Sequence, residues 1–143
     1  MSSKVLLVGY CPSHSGSPER PLDGPGTGHR LAKLCGLSHE AYLEKFDRVN
    51  LHYDTPLKRD RVTRRAGEAS ATKILRHSLG RSIILLGCEV RDAFDVSEVR
   101  SGEWLYIGEE TRLSWIPHPS GLNRWYNETD NTRRVEKFLR DLS

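Results

Sequence analysis

Two short aliphatic runs, Val5-Leu6-Leu7-Val8 and Ser82-Ile83-Ile84-Leu85-Leu86, place the tightest limit on how this chain can fold. Neither alternates apolar with polar residues. Each must therefore be covered on both faces, and strands of that kind belong to parallel sheets flanked by helices. Leu31, Leu34 and Leu37 recur at helical spacing over 26–37, where Gly28 lets a helix pack closely or bring its N-terminus to a ligand. Ser38 is placed to cap a short helix running to Lys45, and a weaker strand lies around Arg48-Val49-Asn50-Leu51. The pattern over 67–79 predicts a helix with Ile74 and Leu75 inward and Gly80 as its C-cap. Gly87 opens a helix through Phe94 and Val96, and Trp104-Leu105-Tyr106-Ile107 reads as a short hairpin arm. A last strand at 113–116 and an amphipathic helix over 129–142, through Val135, Phe138 and Leu139, close the chain. Strands alternating with helices predict an α/β protein, a three-layer α/β/α sandwich around a short, mainly parallel four-stranded sheet.

The length of 143 residues suits a single domain over 1–143, with a core large enough to need no staples. No repeat, linker or low-complexity tract divides it. No apolar stretch is long enough to cross a bilayer and no secretory leader precedes the first strand, so a cytoplasmic protein without membrane attachment is expected. Cys11, Cys35 and Cys88 are odd in number and lack CxxC spacing, which argues against a disulfide framework or a zinc site. Cys35 and Cys88 read as buried small hydrophobes. The net charge of +3 decides nothing, but Lys58, Arg59, Arg61, Arg64 and Arg65 crowd together with only Asp60 among them. Such a cluster could neutralise phosphates, or be a solvated loop and first helical turn.

Two loops hold most of the residues capable of chemistry. Gly9-Tyr10-Cys11-Pro12-Ser13-His14 follows the first strand, and His118-Pro119-Ser120-Gly121-Leu122-Asn123-Arg124 follows the last. In an open parallel sheet ligands bind at the carboxyl ends of the strands. Two such turns meeting at that edge would surround a pocket with His, Ser and backbone N–H groups. Residues 11–25 carry Pro12, Pro18, Pro21 and Pro25, a long loop of the kind that is usually functional.

These loops resemble motifs of the uracil-DNA glycosylase superfamily. Gly9-Tyr10-Cys11-Pro12 fits the frame of its G-x-x-P loop, and His118-Pro119-Ser120 matches its H-P-S loop. Gly121-Leu122-Asn123-Arg124 is similar to the continuation in the mismatch-specific branch, and 21–28 looks like the P-F-x-G-x-x-G stretch of the thermophilic families. Val49-Asn50-Leu51 is similar to the strand that presents a base-reading Asn, and 83–87 to a buried L-G strand.

The resemblance implies an enzyme that flips a pyrimidine out of DNA and breaks its N-glycosidic bond, at an unstacking cost of a few kcal/mol. Asn50 would read the base edge, since one planar amide offers a donor and an acceptor. His118 would donate to the base carbonyl that gains charge as the bond breaks. Gly9, Tyr10, Pro12 and Leu22 would line the base pocket, with Leu22 where the families place a stacking aromatic and Tyr10 a possible replacement ring. Leu122 would be a wedge in the duplex, with Arg124 on a phosphate and Ser13, Ser120, Gly121 and Asn123 at the backbone. Lys58, Arg59 and Arg61 would add phosphate contacts. Plainer readings stay open: Asn50 satisfying a turn, His118 capping a loop, the serines as turn residues, His29 as structural.

Cys11 is the largest departure, because several families place there the Asp or Asn that positions the attacking water. It could be an inert stand-in with His14 or Asp23 handling the water, a nucleophile, or the mark of a site that only binds. The thermophilic families carry four cysteines for an iron–sulfur cluster, and no matching positions here could hold one. No cofactor and no metal are expected. Three functions compete: a DNA glycosylase, a bacteriophage-type transferase modifying a flipped 5-substituted pyrimidine, and a non-catalytic DNA lesion-binding module. Each would act on DNA as a monomer.

Overall fold

The computed structural model describes residues 4–12, 21–22, 26–119 and 123–142. Five strands form one sheet: β1 (Val5–Gly9), β2 (Phe46–Asn50), β3 (Ser82–Leu86), β4 (Leu105–Ile107) and β5 (Thr111–Ile116), ordered β2-β1-β3-β5-β4. β1, β2, β3 and β5 are parallel, and β4 returns antiparallel against β5. The sheet thus has five strands rather than the four expected. The extra one is the short hairpin arm, whose three residues pair with β5 at the sheet's edge.

The period of two along each strand sorts the core into two layers. Leu7, Ile84, Leu86 and Ile116 face α1 (Thr27–Cys35), α2 (His39–Lys45) and α5 (Thr129–Arg140), packing with Leu31, Leu34, Tyr42, Val135 and Leu139. Leu6, Val8, Ile83, Leu85 and Leu113 face the other way. They meet α3 (Arg61–Arg76) through Ile74 and Leu75, and α4 (Cys88–Ala93) through Val90. Helices on both faces make the α/β/α sandwich that the unbroken aliphatic runs require.

Local signals set most element ends. The Ser38 hydroxyl accepts from the Ala41 N–H at 3.2 Å, capping α2 as expected. Gly36 takes a left-handed φ of 71° after α1, a conformation that favours glycine. Three expectations need correction. Helix α3 begins at Arg61, six residues before position 67, because the Asp60 carboxylate accepts from the Thr63 N–H at 3.0 Å. Its first turns face solvent and carry no apolar stripe to read. It ends at Arg76 with His77 as its C-cap, and Gly80 (φ 86°) instead lies in the turn beyond, where its N–H donates to the Thr111 hydroxyl at 2.6 Å. Helix α4 stops at Ala93 with Phe94 as its C-cap; Asp95 turns at φ 58° and buried Val96 packs from outside the helix. Among the cysteines Cys35 is buried as read, but Cys88 opens α4 and is exposed.

Ile84 sits fully buried at the centre of the sheet. Ile84→Ala is expected to remove about 2–5 kcal/mol of stability, seen as a lower denaturant midpoint with an unchanged slope.

Candidate functional site

From β1 the chain passes to β2 on one side and then crosses to β3 on the other, so the connections diverge between β1 and β3. A crevice at the carboxyl end of that pair is where a doubly wound sheet takes its ligand. Four chain segments meet this edge. They are the loop after Gly9, Asn50 at the end of β2, Gly87 after β3, and His118 shortly after β5. Asn50 ends β2 and His118 follows β5, with β1 and β3 lying between those two strands in the sheet.

Asn50 pairs in register with Gly9. A Cβ on Gly9 would lie 2.6 Å from Asn50 Oδ1 and 2.9 Å from Leu22 Cδ2, so glycine alone admits both side chains here. The Asn50 amide is shut away from solvent, and neither its oxygen nor its nitrogen has a hydrogen-bond partner among the described residues. Leaving such groups unpaired costs about 1–3 kcal/mol each. A ligand bearing a complementary acceptor and donor would recover that cost. Leu22 has φ 58°, a left-handed conformation that costs a non-glycine residue about 1–2 kcal/mol. Its neighbours hold it there: Tyr42 donates to the Leu22 carbonyl at 3.0 Å, and Arg48 Nε to the Pro21 carbonyl at 3.2 Å.

His118 packs against Gly87, where a Cβ would come within 3.3 Å of its own Cβ and where φ is 97°. The backbone before it is fixed by Tyr126, whose hydroxyl donates to the Pro117 carbonyl at 2.5 Å. After it, Asn123 bridges the loop: Nδ2 donates to the His118 carbonyl at 2.7 Å, and Oδ1 accepts from the Trp125 N–H at 3.1 Å. Asn123, read as a backbone contact for DNA, thus closes its own loop. Burial holds the His118 imidazole below its ordinary value near 6.5; Glu89 opposes the shift and Arg59 adds to it. The ring is therefore neutral at pH 7, able to donate one hydrogen bond.

Tyr10 and Cys11 share those two charged neighbours. Arg59 pairs with Glu89 and lies 4.8 Å from the centre of the Tyr10 ring, which also meets His52 edge-on at 4.9 Å. Burial pushes the Cys11 thiol upward, with a Thr55 hydrogen bond and Arg59 opposing it and Glu89 reinforcing it. At neutral pH this thiol stays protonated, which disfavours a resting thiolate. Burial also raises the Tyr10 phenol, Glu89 adding to it against Arg59, and lowers the His52 imidazole against Glu89. Tyr10 packs with the α3–α4 layer, on the opposite side of β1 from the Gly9–Asn50–Leu22 contact. There it helps line a cavity of about 320 Å³ with Leu51, His52, Arg59, Arg64 and Glu89. Neither Asn50 nor His118 lines that cavity.

Pro12 is buried, and its carbonyl accepts from the Thr55 hydroxyl at 3.0 Å. Lys58, Arg59, Arg61 and Arg124 are exposed, and His29 lies apart with its ring edge-on to His39 at 4.4 Å. Ser13, His14, Asp23, Ser120, Gly121 and Leu122 lie outside the described residues. Sequence reasoning missed Glu89 and Thr55. Glu89 follows Gly87 at the end of a core strand, so the rule that singled out the other two loops could have found it. Thr55 carries no local signal. Among the described residues no group of three or more His, Cys, Asp or Glu side chains could hold a metal ion, and no helix is long and apolar enough to cross a membrane.

The chain matches no protein-family model, and no curated protein is significantly similar to it.

Gly9→Ala is expected to force Asn50 aside and lower stability by about 1–3 kcal/mol, measured as a lower denaturant midpoint. A histidine titration by NMR should give His118 a midpoint below 6.5, and Glu89→Gln should lower it further because the opposing charge is gone. As pH falls the unfolded chain takes up this proton first. The stability owed to a neutral His118 is therefore complete above about 6.5 and is lost as pH falls through the folded value.

Proposed function

We propose that the protein is a base-flipping DNA enzyme that hydrolyses the N-glycosidic bond of uracil or a modified pyrimidine, as its resemblance to the uracil-DNA glycosylase superfamily implies. The observation that carries this reading is the buried amide of Asn50 at the carboxyl edge of the sheet, which has no hydrogen-bond partner among the described residues. An imide-type pyrimidine edge offers the acceptor and donor that this amide lacks. The neutral imidazole of His118 supports the same reading. As the glycosidic bond breaks, charge gathers on a base carbonyl, and a fixed N–H donor stabilises that charge most where water is excluded. The exposed basic residues from Lys58 to Arg65 supply phosphate contacts at the rim. On this reading the protein acts as a cytoplasmic monomer.

The test is incubation with oligonucleotides carrying uracil, G·U or G·T mismatches, or 5-substituted pyrimidines, followed by alkaline cleavage at abasic sites. One of these substrates is expected to yield abasic sites. His118→Ala and Asn50→Ala should each slow that reaction by about 10²–10³-fold. No cleavage on any substrate excludes hydrolysis for those bases.

One observation favours a second reading. Cys11, where a water-positioning acid would stand, holds a protonated thiol. An enzyme that transfers a group onto a flipped, activated 5-substituted pyrimidine must spare the glycosidic bond, and such a loop suits it. Mass spectrometry of nucleosides after incubation with modified DNA and amine donors would then find a new base and no abasic sites. Salt-dependent binding with no turnover, unchanged by Cys11→Ala, would instead mark a lesion-binding module.

A further inference from the structure

The cavity of about 320 Å³ on the α3–α4 face, which neither Asn50 nor His118 lines, has the size of a small-molecule site. Its walls are held in place by hydrogen bonds. The N–H groups of Leu51 and His52 donate to the carbonyls of Gly9 and Tyr10 at 2.7 and 2.8 Å, and the Leu51 carbonyl accepts from the Ser70 hydroxyl at 2.7 Å. Those bonds fix the segment after β2 between the end of β1 and α3. Gly67, within α3, lets both side chains close on the helix. A Cβ there would lie 3.1 Å from Leu51 Cδ2 and 3.3 Å from His52 Nε2. The His52 ring stands edge-on to Tyr10, and burial holds its imidazole below the ordinary value against Glu89, so it is uncharged at pH 7. With Ala93, these residues give the cavity an uncharged wall that carries two aromatic rings.

Five charged side chains complete the lining, and three of them are engaged. Arg59 pairs with Glu89 and lies over the Tyr10 ring, and Asp92 pairs with Arg91 at 3.0 Å. Arg64 and Glu68 are exposed and take part in none of the ion pairs among the described residues. Four residues apart on α3, they share one face of the helix, and Arg before Glu is the weaker order for a pair along it. Each is left to meet a ligand. A phosphate would face three carboxylates against two guanidiniums, and a plain amine would face Arg64. A ligand that carries one charge of each sign suits both residues.

We propose that this cavity binds a free α-amino acid with an aromatic side chain. Arg64 takes the carboxylate, for which its planar fork of donors is suited. Glu68 takes the ammonium, and the ligand ring lies against Tyr10 and His52, where ring–ring contact adds to the burial of apolar area. The cavity is on the other side of β1 from the Gly9–Asn50–Leu22 contact, so this ligand is independent of the DNA reading.

Calorimetry with L-phenylalanine, phenethylamine and 3-phenylpropionate provides the test, since the second lacks the carboxylate and the third the ammonium. Phenylalanine is expected to bind about tenfold more tightly than either. Arg64→Gln should erase its advantage over phenethylamine, and Glu68→Gln its advantage over 3-phenylpropionate. Circular dichroism confirms folding, which changes at two exposed positions should not disturb. Nuclear Overhauser contacts are expected from the phenylalanine ring to the Ala93 methyl group and the His52 ring. Failure of phenylalanine to bind at millimolar concentration overturns the assignment, as do equal affinities for the three compounds or ring contacts elsewhere. Survival of both advantages in the two variants overturns it as well. Phenylalanine binding by a protein that yields no abasic sites sinks only the DNA reading, and abasic sites without phenylalanine binding sink only this pocket.

Discussion

Everything at the carboxyl edge of the sheet depends on β1 being hydrogen-bonded on both sides, to β2 and to β3, over the same few residues. Parallel pairing in register makes neighbouring strands end level. Gly9 therefore meets Asn50, and the chain leaves β3 at Gly87 beside the loop that follows β5. Were β1 an edge strand, its two neighbours would not place their terminal residues around a single crevice. The aliphatic character of Leu6, Leu7 and Val8 secures this place, because a strand so fully apolar is stable only when both faces are covered.

Around that edge one ion pair sets the electrostatic tone. The Glu89 carboxylate acts on Tyr10, Cys11, His52 and His118, and Arg59 opposes it at Tyr10, Cys11 and His118. The two charges largely cancel at a distance. Burial is thus the largest influence on each of those groups, and it favours their neutral forms. A site of neutral donors suits chemistry in which negative charge appears on the substrate only as a bond breaks.

Much of this was legible in the sequence, for identifiable reasons. Val5 to Val8 and Ser82 to Leu86 announce central strands because buried parallel strands tolerate no polar alternation, and Ser38 announces a helix start because its hydroxyl satisfies a free N–H. What escaped notice depended on distant contacts. The early start of α3 is hidden because Arg61, Arg64 and Arg65 face water. The C-cap assigned to Gly80 failed because its N–H is taken by Thr111, a residue on another strand. In the candidate site, the loops at Gly9 and His118 were singled out by their place after buried strands, and Asn50 by the resemblance. The part played by Asn123 was not legible, since the side chain that was read as facing DNA turns back on its own backbone.

That inward turn has a structural consequence. With one amide gripping both His118 and Trp125, the two ends of the loop are clasped like the ends of a bracelet. Tyr126 pins the near end to Pro117 as well. The backbone that carries the imidazole is thereby held from both sides, by Asn123 and by Tyr126, so losing either side chain would loosen the histidine's seat.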